Sequence, residues 1–139
     1  MISLAELESR IAAAGEDARA PGRSACDLLG AGEAILEHWI TARGELPTRA
    51  EREGFRLLAL QRQGARGEPS FNACRETCRE LAWHYNLITA EPDHADTVQR
   101  LRLMGMVAMH LYLFVSGKLE VEGLGDFCCS SRPLHGASA

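Results

Sequence analysis

Four cysteines in two places are the residues of this sequence best suited to chemistry. Cys74 and Cys78 lie four residues apart within "FNACRETCREL", and Cys128 and Cys129 are adjacent in "DFCCSSRP". On a helix, an i, i+4 pair points both thiols to the same side, and thiolates are the usual ligands of structural zinc and of iron–sulfur clusters. The four cysteines therefore form a candidate metal site, with zinc or an iron–sulfur cluster as its candidate cofactor.

The same spacing has a simpler interpretation, in which Cys74 and Cys78 are core residues. The apolar residues of this segment share one helix face, and the arginines and glutamates lie on the other. Free cysteine behaves as a small hydrophobe and is among the residues most often buried. Adjacent cysteines in an extended segment point to opposite faces, so Cys128 and Cys129 fit a shared metal poorly. The pattern favours the core interpretation over the metal site.

A second group that could bind a ligand is a set of arginines. Arg49, Arg52 and Arg56 form a stripe on a predicted helix, and such a stripe can meet the phosphates of DNA. Glutamates are interleaved with these arginines, which favours an ordinary solvated face. A DNA-binding regulator that uses this stripe is the weaker functional alternative.

Length, composition and charge limit the class of protein. The chain has 139 residues, of which 46% are hydrophobic and 24% charged, as expected for one globular domain. Its net charge of -4 argues against nucleic acid as a partner, because proteins that bind nucleic acid usually carry a basic excess. The sequence shows no signal peptide and no apolar run of membrane-spanning length, which predicts a cytoplasmic protein with no membrane partner. Five cysteines in that compartment are expected to stay reduced.

Helical periodicity runs through most of the chain and predicts a single-domain all-α bundle of about five helices. The helices are expected at about 3–14, from 24 to the break "RGELPT" (43–48), at 48–63, from 69 or 70 to 90, and at 93–117. Ser3, Ser24, Thr48 and Asp93 are the expected caps, and either Ser70 or Pro69 starts the fourth helix. Glycines 32, 54 and 105 predict close helix crossings. The segment "KLEVEGL" (118–124) is expected to be extended on the bundle. The bundle domain takes in 1–127, and 128–139 form a C-terminal tail.

The predicted core consists of residues from the second, third, fourth and fifth predicted helices. Its members are Leu28, Ile35, Trp39, Leu58, Cys74, Cys78, Leu81, Tyr85, Leu101, Met104, Val107 and Leu111.

The fifth predicted helix, "LRLMGMVAMHLYLFVSG", is apolar on nearly every side. Such a helix is either surrounded by its own chain or shared with a second copy. Because so short a chain has few residues with which to surround this helix, the second explanation is favoured. It predicts a homodimer with a two-fold interface. The interface candidates are Leu103, Met106, His110, Leu113 and Phe114.

The sequence contains no recognisable reaction site. It has no GxSxG, HExxH, Gly-rich phosphate loop or CxxCH, so no catalytic residue is assigned. These observations predict a small bacterial-type cytoplasmic accessory or interaction protein without its own catalysis. It is expected to form a homodimer, and another protein is a further candidate partner. The main alternative is a metal-binding or metallocluster-handling protein that uses Cys74, Cys78 and the Cys128/Cys129 pair.

Overall fold

A computed structural model describes residues 1–66 and 74–123 of the chain. The helices are α1 (Leu4–Gly15), α2 (Pro21–Ala42), α3 (Arg56–Ala65), α4 (Arg75–Ala90) and α5 (Thr97–Val121). Within these two ranges the only β-pairing is an isolated bridge between Arg52 and Phe55. The predicted all-α bundle is confirmed.

Helix α2 is the centre of the bundle, because it contacts all four other helices. Helix α5 packs against α1, α2 and α4, so those three helices cover one of its sides. Ten of the twelve predicted core residues are buried, and the other two, Tyr85 and Val107, pack half-buried against the core. Trp39 is the largest fully buried side chain.

The first two helices begin with different signals. Ser3 caps α1 as predicted, since its Oγ accepts a hydrogen bond of 3.2 Å from the Glu6 amide. Helix α2 begins at Pro21, three residues before the predicted cap. Proline suits the first helical position, where its missing N–H is not needed. Ser24 is instead buried inside the helix and its hydroxyl donates to the Asp17 carbonyl at 2.6 Å.

Helix α3 begins at Arg56 and not at Thr48, so the predicted start is wrong. Residues 52–55 form a tight turn in which the Arg52 and Phe55 amides each donate to the other's carbonyl at 2.9 Å. Glu53 and Gly54 both have positive φ, at 54° and 85°. These two left-handed residues interrupt any helix that enters from the N-terminal side.

The segment before this turn is held by Gln63, a buried polar residue of α3. Its Oε1 accepts from the Thr48 amide at 2.7 Å, and its Nε2 donates to the Leu46 carbonyl at 2.9 Å. The Thr48 amide is therefore hydrogen-bonded to α3, and Thr48 does not cap a helix.

Helix α5 is shifted towards the C-terminus relative to the prediction. It begins at Thr97, because residues 91–96 form turns, and the predicted cap at Asp93 is wrong. The helix continues to Val121, so the extended segment expected from residue 118 is also wrong for 118–121. Leu119 is buried in the core and holds this last turn on the bundle. The predicted start of the fourth helix and the tail 128–139 lie outside the described residues.

Two of the three predicted glycine crossings exist. A Cβ on Gly105 would lie 3.0 Å from the Gly15 Cα, so α5 and α1 touch backbone to backbone. A Cβ on Gly32 would lie 2.6 Å from a Leu81 methyl group. The prediction for Gly54 is wrong, because this residue serves the tight turn and has open space around it.

We expect Gly105→Ala to lower the free energy of unfolding by about 1–3 kcal/mol, because a backbone neighbour cannot rotate away from the added methyl group. Gly30→Ala is the matched control: Gly30 lies in the middle of α2 with nothing within 4 Å of its Cβ. That change should raise stability by up to about 1 kcal/mol through helix propensity. Urea unfolding followed by circular dichroism measures both, and equal midpoints would contradict the crossing.

Candidate functional site

The cysteine pair lies in the core. Cys74 and Cys78 are at most 1% exposed and belong to the main cluster of buried residues. Burial raises the pKa of the Cys74 thiol to about 12, partly offset by Lys118. Burial also raises the pKa of Cys78, and the neighbouring Cys74 adds to the effect. Both residues are therefore protonated thiols at neutral pH, whereas metal ligation requires thiolates.

The other half of the predicted metal site cannot be placed beside this pair, since Cys128 and Cys129 lie outside the described residues. Within the described ranges, no three histidine, cysteine, aspartate or glutamate side chains gather as a metal site would require. The four-cysteine site stays a prediction.

We expect only one of the three described cysteines to react readily with iodoacetamide in the native protein. Cys26 is exposed, whereas Cys74 and Cys78 are buried, and burial raises the pKa of Cys74 from its ordinary 9.0 to about 12, which lowers its thiolate fraction about 1000-fold. Peptide mapping by mass spectrometry at pH 8 should find Cys26 labelled and Cys74 and Cys78 unlabelled. All three should react in 8 M urea, which serves as the control. Native labelling of Cys74 at the rate of Cys26 would contradict the buried assignment.

The predicted arginine stripe is wrong as a helix face, because only Arg56 belongs to α3. Arg49 and Arg52 precede the helix, in the segment that ends with the tight turn. Arg56 donates to Glu37 at 2.9 Å and to the Thr48 carbonyl at 2.9 Å. This guanidinium is part of the contact between α2 and the 48–55 segment, so the DNA-binding hypothesis loses the surface on which it was built.

Helix α5 leaves one long side uncovered by the other described residues. We call this side the α5 face; its members are Leu103, Met106, His110, Leu113, Gly117 and Val121, and all are exposed. They recur at steps of three and four and fall within about 80° around the helix axis. Met106 is 66% exposed and Val121 is 77% exposed. The face is a mainly apolar strip about 27 Å long, at 1.5 Å per residue, with one polar side chain, His110, in its central part.

The opposite side of α5 fixes the direction of this face. Leu101, Met104, Ala108, Leu111 and Val115 are buried against the bundle. Gly105 lies among them at the crossing with α1. The helix cannot rotate about its axis without withdrawing this set from the core, so the α5 face points permanently away from the chain's own helices.

Four of the five predicted interface residues lie on this face, and the fifth, Phe114, is half-buried beside it. Whether a second copy covers them stays a prediction. The sequence reasoning missed Val121, because it ended the helix near Gly117. The recurrence of apolar residues at 3.6-residue spacing beyond Gly117, through Val121, was the available signal.

Two charged residues flank the face on the same edge. Arg102 and Glu120 are 18 residues apart, which is five full helical turns, so they have the same angular position. Arg102 also forms an exposed contact of 3.3 Å with Glu16 of α1. The edge thus carries a positive charge near the start of the face and a negative charge near its end.

None of the helices in the described ranges contains a stretch both long enough and apolar enough to cross a bilayer. A search of protein families found no matching family model, and searches of curated proteins and of solved structures gave no significant match.

Proposed function

We propose that the chain is an interaction protein without catalysis of its own that works as a homodimer, with the α5 face as the interface. The observation that carries the proposal is the exposure of this face. Of the eight large hydrophobic residues exposed in the described ranges, four belong to the face: Leu103, Met106, Leu113 and Val121. A strip of this kind on a soluble domain usually marks an interaction surface.

The spacing of the face supports a second helix as its occupant. Steps of three and four residues from Leu103 to Gly117 form the seam that packs along another helix at a small crossing angle. In an antiparallel pair whose two-fold axis passes near His110, Leu103 of one copy lies opposite Gly117 of the other. A leucine then meets a glycine at both ends of this contact, which lets the two helices approach closely there.

The edge charges support a second copy of this chain in the antiparallel orientation. A two-fold axis perpendicular to both helices makes them run in opposite directions. The edges that carry Arg102 and Glu120 in the two copies then lie on the same side of the interface. Arg102 of one copy then lies beside Glu120 of the other, and the pair occurs twice. A parallel arrangement would bring neither pair together. Rim charges of this type set orientation more than affinity.

Several side chains of types that often perform chemistry have structural roles in this fold. Cys74 and Cys78 are core residues, and Arg56 ties α2 to the 48–55 segment. His38 donates from Nε2 to the Ile2 carbonyl at 2.6 Å, which anchors the N-terminus. These uses support a structural and not a catalytic role for the bundle.

Sedimentation velocity over about 1–100 µM tests the proposal. We expect the mass to rise from the monomer value of 15.2 kDa towards twice that value, with a midpoint in the micromolar range expected of one helix pair. A monomer throughout this range would overturn the proposal.

A further inference from the structure

A small recess lies where the tight turn, α3 and α4 meet. It encloses about 160 Å³ and is lined by Arg52 of the turn, Leu58, Gln61, Arg62 and Ala65 of α3, and Arg75 and Arg79 of α4. We call it the arginine recess. Leu58, Gln61, Arg62 and Ala65 lie at i, i+3, i+4 and i+7, so one side of α3 forms one wall. Arg75 and Arg79, four residues apart, form the other.

Among the described residues that line the recess, every charged side chain is an arginine. No carboxylate in the described ranges forms an ion pair with Arg52, Arg62 or Arg75. Arg79 is held by Glu53 through two hydrogen bonds of 2.9 and 3.1 Å, which fix its direction. The Arg79 hydrogen bonds hold the pKa of Glu53 below its usual value, and the charges of Arg52 and Arg75 act in the same direction.

A buried donor without a partner adds an independent observation. Gln61 is 7% exposed, and its Nε2 is buried with no hydrogen-bond partner among the described residues. An unsatisfied buried amide is costly, whereas Gln63, two residues later, satisfies both its amide atoms. Gln61 lines the recess, which places its side chain beside a space that a hydrogen-bond acceptor could enter.

The recess also belongs to a basic part of an acidic protein. Residues 43–79 contain eight of the 15 lysines and arginines but only five of the 19 acidic residues. Three of the four guanidinium groups around this cavity have no ion-pair partner in the described ranges, and a bound anion would reduce the repulsion between them.

We propose that the arginine recess binds a phosphate group, presented as the free ion or on a small ester. Guanidinium groups match phosphate oxygens with paired, charge-assisted hydrogen bonds, and the Gln61 amide supplies one more donor. The volume equals that of about five water molecules, which suits one phosphate group and not an extended polymer. Helix α5 contributes no lining residue, so this site and the proposed dimer stand or fall separately.

Calorimetric titration of the full chain with inorganic phosphate at constant low ionic strength tests the site. We expect saturable binding with a dissociation constant below about 1 mM, and a loss of affinity of at least about tenfold in the double variant Arg62→Gln, Arg75→Gln. Arg23→Gln is the matched control, an exposed arginine of α2 outside the recess. No saturable binding by the native chain, or an equal loss in the control, would overturn the proposal.

Gln61→Leu separates a ligand role from a role in folding. Removing a buried donor that has no partner should leave the thermal midpoint without phosphate unchanged or raised. The rise in midpoint on adding phosphate should shrink by at least half. A variant with a lower midpoint and an undiminished response to phosphate would show that Gln61 serves the fold, which contradicts its assigned role.

Two further probes identify the source of the phosphate. If glycerol 3-phosphate binds at least tenfold more tightly than inorganic phosphate, the ligand of the recess is a phosphate ester. If the two affinities are equal, the ligand is the free ion. Both results support the site. A 20-base-pair DNA duplex is the third probe. Duplex binding that depends on Arg62 and Arg75 and exceeds the phosphate affinity would overturn the assignment to a small ligand.

Discussion

Met106→Glu is expected to raise the dimer dissociation constant by about 100-fold or more. Met106 is the most exposed large side chain in the central part of the α5 face. In the antiparallel dimer, the change buries two carboxylates in an apolar seam, one from each copy. The face offers them no lysine or arginine, and a burial cost of about 3 kcal/mol corresponds to about 100-fold in affinity. Sedimentation at tens of micromolar should show the variant as a monomer.

Val98→Glu is the matched control for this change. Val98 is also an exposed apolar residue of α5, but it lies about 80° around the helix from Met106 and outside the face. Its variant should dimerise as the native chain does, and both variants should keep the helical circular dichroism of the monomer. If the control dissociates equally, or the Met106 variant still dimerises, the α5 face is not the interface.

Trp39→Ala is expected to cost about 3–5 kcal/mol of unfolding free energy, a large part of the usual total of about 5–15 kcal/mol. Trp39 is fully buried, and its indole N–H donates to the Gly64 carbonyl at 3.1 Å. Arg43 lies over the ring at 5.5 Å from its centroid and donates to the same carbonyl at 3.0 Å. The change therefore removes a core side chain and a link between α2 and the end of α3.

The chain supplies its own control in its second tryptophan. Trp83 is 60% exposed on α4, so Trp83→Ala should change stability by no more than about 0.5 kcal/mol. Urea titrations followed by circular dichroism compare the two variants independently of tryptophan fluorescence. Similar midpoints for both would show that the α2–α3 contact contributes little to the fold.

Periodic patterns were sufficient to predict the helices and most of the core. Apolar residues recur at helical spacing in α2, α4 and α5, and this spacing placed Leu28, Cys78 and Leu111 correctly in the core. The Gly105 crossing was also predictable, because a glycine inside an apolar helix is costly unless another backbone lies close to it. These features depend on residues near one another in sequence.

The errors arose where tertiary contacts override local patterns. Thr48 has the chemistry of a helix cap, but its amide bonds to Gln63, and the positive φ of Gly54 belongs to a turn that sequence periodicity does not reveal. The arginine recess was not predicted, because its residues come from three separate elements and only Arg52 belonged to the predicted arginine stripe. An apolar helix also does not reveal whether its own chain covers it.

Disulfide cross-linking across the two-fold axis tests the central claim most directly. In a background with Cys26, Cys128 and Cys129 each replaced by serine, His110→Cys should form a covalent dimer on mild oxidation, because the two copies of residue 110 lie near the axis. Leu103→Cys alone should not form a covalent dimer, because the two copies of residue 103 lie about 21 Å apart along the antiparallel pair. Leu103→Cys should form a disulfide with Gly117→Cys when the two variant proteins are mixed. Failure of His110→Cys to cross-link, or equal cross-linking by Leu103→Cys alone, would contradict an antiparallel dimer built on the α5 face.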